Sequence, residues 1–156
     1  MAESIRDKVA VVGVGACQFG ENWDQSREDM IVDAVYEAYA DAGIEDPDRQ
    51  IESIFCASVY PREGSWEVAE ALKLFGKPIS MLSDYCHTGT DAFRYGAYSV
   101  ACGMYDTVLV IGFDKPKDRG VSGPSVQTQG VLDIPSGVHP LTRLVQETAL
   151  VGDRRD

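Results

Sequence analysis

The chain has 156 residues, of which 44% are apolar and 25% are charged, the balance of an ordinary globular protein with a sizeable core. Its formal net charge of −11 argues against nucleic acid or an anionic membrane surface as a partner, because both are bound through Lys and Arg. No run of about 18 apolar residues is present, so no membrane span is expected.

Strand and helix patterns alternate from the start of the chain. Residues 8–14 are a near-continuous apolar run, typical of a buried parallel strand and too short for a signal-peptide core. Ser26 and Asp29 have the spacing of a capping box, and apolar residues at helical intervals follow as far as Gly43. Further strands are predicted at residues 51–59, 78–82 and 107–112, and further helices at residues 64–75 and 88–102. This β-α-β-α-β-α-β series predicts an α/β fold with a mostly parallel sheet covered by helices on both faces.

The composition changes after Gly112. Residues 113–139 are rich in Gly, Pro, Ser and Asp and show no clear period, and a short helix is predicted at residues 141–151. The chain therefore divides into a folded part at residues 1–117 and a Gly/Pro-rich loop and tail at residues 118–156, which we expect to be incomplete.

The four cysteines have unlike surroundings. Cys56 lies in an apolar run, where a buried and inert thiol is expected. Cys102 is predicted at the C-terminus of a helix, whose dipole disfavours a thiolate, and is interpreted as structural. No CxxC or other closely spaced ligand pair is present, so no metal site is predicted. These features and the absence of a signal peptide indicate a reduced, cytoplasmic protein.

The segment that can carry chemistry is Asp-Tyr-Cys-His-Thr-Gly-Thr-Asp-Ala-Phe, which begins at Asp84. It places Cys86 between a predicted strand and a predicted helix, where first-turn N–H groups and the helix dipole stabilise a thiolate. Gly89 allows the backbone to approach an acyl group closely in that first turn. Such a thiolate is suited to accept an acyl group from a coenzyme A thioester. From this local pattern alone, a small buried cysteine is the competing interpretation.

The order of several motifs resembles the N-terminal half of the thiolase superfamily. The motif Cys-x-Thr-Gly-x-x-Ala begins at Cys86, and an apolar strand then ends in Gly-Phe-Asp-Lys at Gly112. The opening Val-Gly-Val-Gly-x-x-x-Phe-Gly at Val12 and the helix end Ala-Tyr-Ala-Asp-Ala-Gly at Ala38 are similar to the lipid-transfer-protein (sterol carrier protein-type) branch. The resemblance extends from about residue 9 to residue 117 and implies the N-terminal half of a thiolase fold, with the second half absent.

By this resemblance, Cys86 corresponds to the acyl-accepting cysteine, and the substrate is an acyl-CoA with no permanently bound cofactor. His87 and Gly89 are candidate substrate-binding residues. The alternative for His87 is that its polar side chain faces a dimer contact. His87 and Asp91 replace residues that are usually small in the family, and Asp114 replaces the common Glu. The resemblance also implies a homodimer or larger oligomer, and an OB-fold zinc protein as a possible partner.

The remaining catalytic groups of the family, a His base, a second Cys and an Asn-containing water site, belong to a second half-domain. This sequence ends at Asp156, so we expect a truncated or split form, or a subunit that uses a partner. The Gly-Val-His-Pro sequence at His139 differs from the family's Gly-His-Pro by an inserted residue, and His139 is interpreted as a loop residue.

Three functions remain open. The first is a thiolase-type acyltransferase (acetyl-CoA acetyltransferase or 3-ketoacyl-CoA thiolase) that forms an acyl-enzyme at Cys86 and is inactive alone. The second is a non-catalytic, thiolase-like scaffold or binding subunit of a multi-protein complex. The third is a subunit of a retro-aldolase of the lipid-transfer type. A nucleotide-binding domain is disfavoured, because the glycines at Gly13 and Gly15 lack the third glycine of the dinucleotide fingerprint.

Overall fold

A parallel β-sheet lies at the centre of the structure, a computed structural model that describes residues 4–59 and 64–116. Its strands are β1 (Ser53–Ala57), β2 (Ile79–Leu82) and β3 (Val108–Gly112). The strand order is β2-β1-β3, and both pairings are parallel. This arrangement confirms the predicted α/β class and parallel sheet, and it makes β2 and β3 the edge strands of the sheet in the part of the chain that is described.

Helices cover both faces of the sheet, as the alternating pattern predicts. They are α1 (Arg27–Ala42), α2 (Pro47–Gln50), α3 (Ser65–Leu72) and α4 (Thr88–Ala101). Side chains alternate between the faces along a strand, so Ile54 packs with α1 and α3 in the larger core cluster. The next residue, Phe55, belongs to a smaller cluster that contains Ala92 of α4. The sheet is therefore buried between α1 and α3 on one side and α4 on the other.

The N-terminus of α1 has the predicted capping box. Ser26 Oγ accepts a hydrogen bond from the backbone N–H of Asp29 at 3.0 Å, and Asp29 Oδ2 accepts one from the N–H of Ser26 at 2.9 Å. These hydrogen bonds with Ser26 lower the pKa of Asp29. The helix ends at Gly43, whose φ of 69° lies in the left-handed region that glycine adopts without strain. Both ends of α1 were thus predictable from local sequence.

Residues 8–14 do not form the strand that their apolar run predicts. The segment lies along α1 instead, where Val14 N–H donates to Asp41 Oδ2 at 2.9 Å and Ala16 N–H donates to Glu37 Oε2 at 2.8 Å. Carboxylates of α1 therefore bind backbone groups that a neighbouring strand would otherwise bind. The prediction was wrong because strand formation needs an adjacent edge, and the apolar pattern alone does not supply one.

The close contact between this segment and α1 depends on two glycines. A Cβ atom at Gly15 would lie 2.1 Å from Ala34 O, and one at Gly13 would lie 2.5 Å from Ala38 O. Both distances are far below a van der Waals contact, so no other residue fits without moving the backbone. The Val-Gly-Val-Gly motif is therefore explained by helix packing in this structure.

A cavity of about 430 Å³ separates residues 9–15 from β3. We call this cavity the slot. Residues of α1 and α4 form its other two walls, and its lining is apolar except at Asp106 and Thr107. The slot lies beside the outer edge of β3.

An ion pair joins α1 to α3 in the interior. Arg27 Nε lies 2.9 Å from Glu67 Oε1, and the two side chains are only 6% and 4% exposed. The guanidinium of Arg27 also lies over the ring of Phe113, 5.1 Å from its centroid. This contact brings the start of α1 to the segment that follows β3. No local pattern in the sequence indicated that these charges would be buried.

No helix among the described residues is long and apolar enough to cross a membrane. The helix predicted at residues 141–151, His139 and the proposed second unit at residues 118–156 all lie outside the described residues.

Candidate functional site

Cys86 lies in the connection between β2 and α4. β2 ends at Leu82, a 3₁₀ turn spans Tyr85–His87, and α4 begins at Thr88. Cys86 is exposed to solvent. The structure therefore places Cys86 at the strand-to-helix junction that the sequence predicts, and it does not support the alternative of a small buried cysteine.

The backbone directly before Cys86 is held by the buried side chain of Thr88. Thr88 Oγ1 accepts a hydrogen bond from Asp84 N–H and donates one to Tyr85 O, both at 2.6 Å. Tyr85 has a φ of 54°, in the left-handed region that non-glycine residues rarely adopt. Such a conformation costs roughly 1–3 kcal/mol and persists where the surroundings impose it. The two hydrogen bonds of Thr88 impose it here, directly before the cysteine.

The first turn of α4 is open to an approaching anion. His87 occupies the N-cap position, and its side chain makes no capping hydrogen bond to the helix. The N–H of Thr88 donates to Tyr85 O, so the positive end of the helix dipole and the N–H groups that follow Thr88 in this turn are available to a negatively charged atom. A Cβ added at Gly89 would have no atom within 4 Å, so there is free space beside this turn. This geometry suits the stabilisation of an oxyanion next to a nucleophile.

His87 belongs to a network of polar side chains. Its Nε2 lies 2.7 Å from Asp84 Oδ2 and 3.8 Å from Asp91 Oδ2, and Arg94 Nη2 lies 2.7 Å from Asp91 Oδ1. Ligand-type atoms of the three residues Asp84, His87 and Asp91 lie within 4.8 Å of one another, which is compact enough for a metal ion. Asp84 already contacts His87, and Asp91 already contacts Arg94, so these contacts describe a network that orients the imidazole.

The sequence analysis missed this network, although a signal for it was present. Asp84 and Asp91 stand three residues before and four residues after His87, the intervals that bring side chains together around a helical turn. Of the predicted site residues, the structure puts Cys86 and His87 in one turn. Gly89 lies in the next turn and lines the slot.

The other cysteines occupy different environments. Cys56 is fully buried in β1, and this burial raises the pKa of its thiol to about 12. Cys102 is exposed at the C-terminal end of α4, where its Sγ lies 3.3 Å from Ser99 O. The inert character predicted for Cys56 agrees with its burial, and Cys102 stands at the predicted helix end.

We expect neutral alkylating reagents to distinguish these thiols. At pH 8, iodoacetamide should modify Cys86 faster than Cys102. The dipole of α4 favours negative charge at Cys86, near its N-terminus, and disfavours it at Cys102, near its C-terminus. The combined effect should be about three- to tenfold in rate, on the order of 1 kcal/mol. Cys56 should react only after unfolding. Peptide mapping of time points checks this, and equal rates at Cys86 and Cys102 would contradict it.

No protein-family model matches the chain. The chain is 34% identical to an acetyl-CoA acetyltransferase of Methanothermobacter thermautotrophicus over 124 residues, which cover 77% of this chain and 32% of the relative. It is 32% identical to an acetyl-CoA acetyltransferase of Methanocaldococcus jannaschii, over 70% of this chain and 29% of that relative. Sterol carrier protein 2 of Bos taurus is 32% identical over 71% of this chain and 21% of its own length. The chain thus spans a third or less of these relatives.

A solved structure shares the fold. The 3-oxoacyl-[acyl-carrier-protein] synthase III from Aquifex aeolicus VF5 matches with a TM-score of 0.57 over 69% of this chain and 45% of that one. The two sequences are 18% identical in this match, so the likeness concerns the fold alone. It agrees with the α/β arrangement of a parallel sheet between helices.

Proposed function

The matched part of this chain is an N-terminal fragment of the thiolase superfamily, and from that premise we propose that Cys86 accepts an acyl group from a coenzyme A thioester. The thiolate Sγ attacks the carbonyl carbon, a new carbon–sulfur bond forms, and the bond to the coenzyme A sulfur breaks. Coenzyme A leaves as a thiolate and is protonated by solvent. The product is an acyl-enzyme at Cys86.

One observation carries this proposal: an exposed cysteine stands at the N-terminal end of a 14-residue helix whose first turn has no side-chain cap. The uncapped N–H groups can donate to the oxyanion that develops as Sγ attacks the thioester. The strained backbone at Tyr85, held by Thr88, orients the thiol before the substrate arrives. A buried cysteine such as Cys56 has neither the access nor the ionisation that this reaction requires.

His87 and Gly89 take part as substrate-binding residues in this proposal. The free space beside Gly89 admits the acyl group next to the first turn of α4. Asp84, at 2.7 Å, orients the imidazole of His87 beside the nucleophile, where it can hydrogen-bond to the thioester or to the departing thiol. His87 is the only histidine within the described residues.

The alternative is a non-catalytic thiolase-like subunit. A subunit of this kind would keep the fold and leave Cys86 unacylated. The two candidates therefore differ in whether a covalent acyl group appears on the protein.

The test is acylation by acetyl-CoA and by octanoyl-CoA, followed by intact mass measurement and peptide mapping. We expect one acyl group at Cys86, its loss in Cys86→Ala, and its retention in Cys102→Ala, which removes the exposed thiol at the other end of α4. Acylation that is equal at Cys86 and Cys102 would indicate unspecific chemistry and overturn the proposal. Absence of an adduct, together with an iodoacetamide rate at Cys86 no higher than that at Cys102, would favour the non-catalytic subunit.

A further inference from the structure

Three side chains with metal-binding atoms converge at the start of α4. Asp84 lies in the connection that follows β2, His87 lies in the 3₁₀ turn, and Asp91 lies in the first turn of the helix. Intervals of three and four residues place these side chains on one side of a helical turn. One donor atom of each lies within 4.8 Å of the donor atoms of the other two.

The separations between these atoms fit a shared ion. His87 Nε2 lies 3.8 Å from Asp91 Oδ2. Two ligands that are each about 2.1 Å from a tetrahedral zinc ion lie about 3.4 Å apart, close to this separation. His87 Nε2 lies 2.7 Å from Asp84 Oδ2, the length of a hydrogen bond. An ion that replaces the shared proton requires this pair to separate by only about 0.7 Å, and both side chains are exposed enough to move that far.

The carboxylate of Asp91 has one oxygen that lacks a close partner. The Asp91 side chain is only 14% exposed, and its Oδ1 lies 2.7 Å from Arg94 Nη2. Asp91 Oδ2 faces His87 from beyond hydrogen-bonding distance, and within residues 4–59 and 64–116 no hydrogen bond is made to it. Charged groups of low exposure are paired or coordinate a metal. Arg94 therefore holds Asp91 as an outer hydrogen-bond partner holds a metal-binding carboxylate, with Oδ2 directed at the imidazole.

The backbone that carries the donors is fixed before any ion arrives. Thr88 Oγ1 accepts a hydrogen bond from Asp84 N–H at 2.6 Å, and Thr88 N–H donates to Tyr85 O. These bonds tie the connection after β2 to the turn that contains His87. A preformed set of donors loses less freedom on binding than one assembled from mobile segments. The exposed side of the cluster leaves room for water at the remaining coordination positions of an ion.

The donor set selects the kind of metal. An imidazole suits Zn²⁺, Co²⁺ or Ni²⁺, whereas Mg²⁺ and Ca²⁺ prefer oxygen ligands alone. No metal site was predicted from the sequence because closely spaced Cys and His pairs are lacking, but that pattern does not cover one His between two carboxylates. We propose that Asp84, His87 and Asp91 bind one divalent ion of the zinc type, through Asp84 Oδ2, His87 Nε2 and Asp91 Oδ2.

Titration of the metal-free 156-residue protein with Zn²⁺, in competition with a chromophoric chelator, tests this site. We expect one equivalent to bind with a Kd of about 10 µM or lower, and a roughly hundredfold excess of Mg²⁺ should not displace it. In the unaltered protein, the ring nitrogen resonances of His87 should shift in step with binding. Absence of saturable binding below about 100 µM, or binding without a shift at His87, would overturn the proposal.

Paired variants locate the donors. Asp91→Asn preserves the size of the side chain and should weaken Zn²⁺ binding at least about tenfold, and His87→Gln should do the same. The matched controls are His139→Gln, which removes the other histidine of the chain, and Glu70→Gln, which neutralises an exposed carboxylate on α3. Neither control should change the Kd by more than about twofold. Equal weakening by His87→Gln and His139→Gln would overturn the assignment.

The neighbouring thiol is tested as a competing ligand. Cys86→Ala should leave the Kd for Zn²⁺ unchanged, and the Co²⁺-loaded protein should lack the charge-transfer absorption of a cobalt–thiolate bond. Loss of binding in Cys86→Ala, or the presence of that absorption, would overturn the assigned donor set. These measurements contain no thioester, so their outcome is independent of acylation at Cys86.

Discussion

Replacing Glu67 with Ala should lower the free energy of unfolding by about 3–5 kcal/mol, the usual result of removing one partner from a buried ion pair. The pair is 2.9 Å long and almost completely excluded from solvent. In the variant, the guanidinium of Arg27 stays buried against the ring of Phe113 without the Glu67 carboxylate. Urea denaturation followed by circular dichroism measures the change.

Glu70, one turn further along α3, provides the control for this experiment. Glu70 stands on the exposed side of α3, so Glu70→Ala should change stability by no more than about 0.5 kcal/mol. The double variant Arg27→Met with Glu67→Leu should recover most of the loss, since apolar side chains of similar size need no compensating charge. If Glu67→Ala behaves like Glu70→Ala, the ion pair does not contribute as its burial indicates.

Replacing Gly15 with Ala should separate residues 9–16 from α1. The added methyl group would lie 2.1 Å from Ala34 O and 2.5 Å from Ala38 N, and neither backbone atom can move without distorting the helix. The hydrogen bonds from Val14 N–H to Asp41 and from Ala16 N–H to Glu37 should be lost as the segment moves away. We expect a loss of about 1–3 kcal/mol in stability.

Hydrogen exchange provides the more specific measurement, because the amides of Val14 and Ala16 should exchange at least about tenfold faster in the variant. Gly89→Ala is the matched control, since its added methyl group meets no atom within 4 Å. Alanine in a helix is favoured over glycine by roughly 0.5–1 kcal/mol, so this control should be neutral or stabilising. Unchanged exchange in Gly15→Ala would show that the segment is not held against α1 in solution.

Local sequence was sufficient for features that depend on neighbours along the chain. The capping box of Ser26 and Asp29 and the helix end at Gly43 involve groups only a few residues apart, so their residue types indicate their structure. The position of Cys86 between a strand and a helix follows from the same kind of pattern. The network around His87 was also within reach, because Asp84 and Asp91 stand at helical intervals from it.

Features formed by residues far apart in the chain were not predictable in this way. The sequence contains Arg27 and Glu67 as two of many charged residues, and only the packing of α1 on α3 buries them together. Residues 8–14 have the composition of a buried strand, and composition does not specify whether a partner edge lies within reach. In the structure the nearest strand edge is that of β3, and the slot separates β3 from residues 9–15.

The sequence by itself determined the α/β class, the positions of α1, α3 and α4, and the junction that presents Cys86, because apolar periodicity and capping residues act over one or two turns. The tertiary structure alone decided the order of the strands, the buried pair of Arg27 and Glu67, and the place of β3 at the edge of the sheet in the part of the chain that is described. Those outcomes depend on how several elements share one core, and the free energy of that packing is not encoded in any single segment.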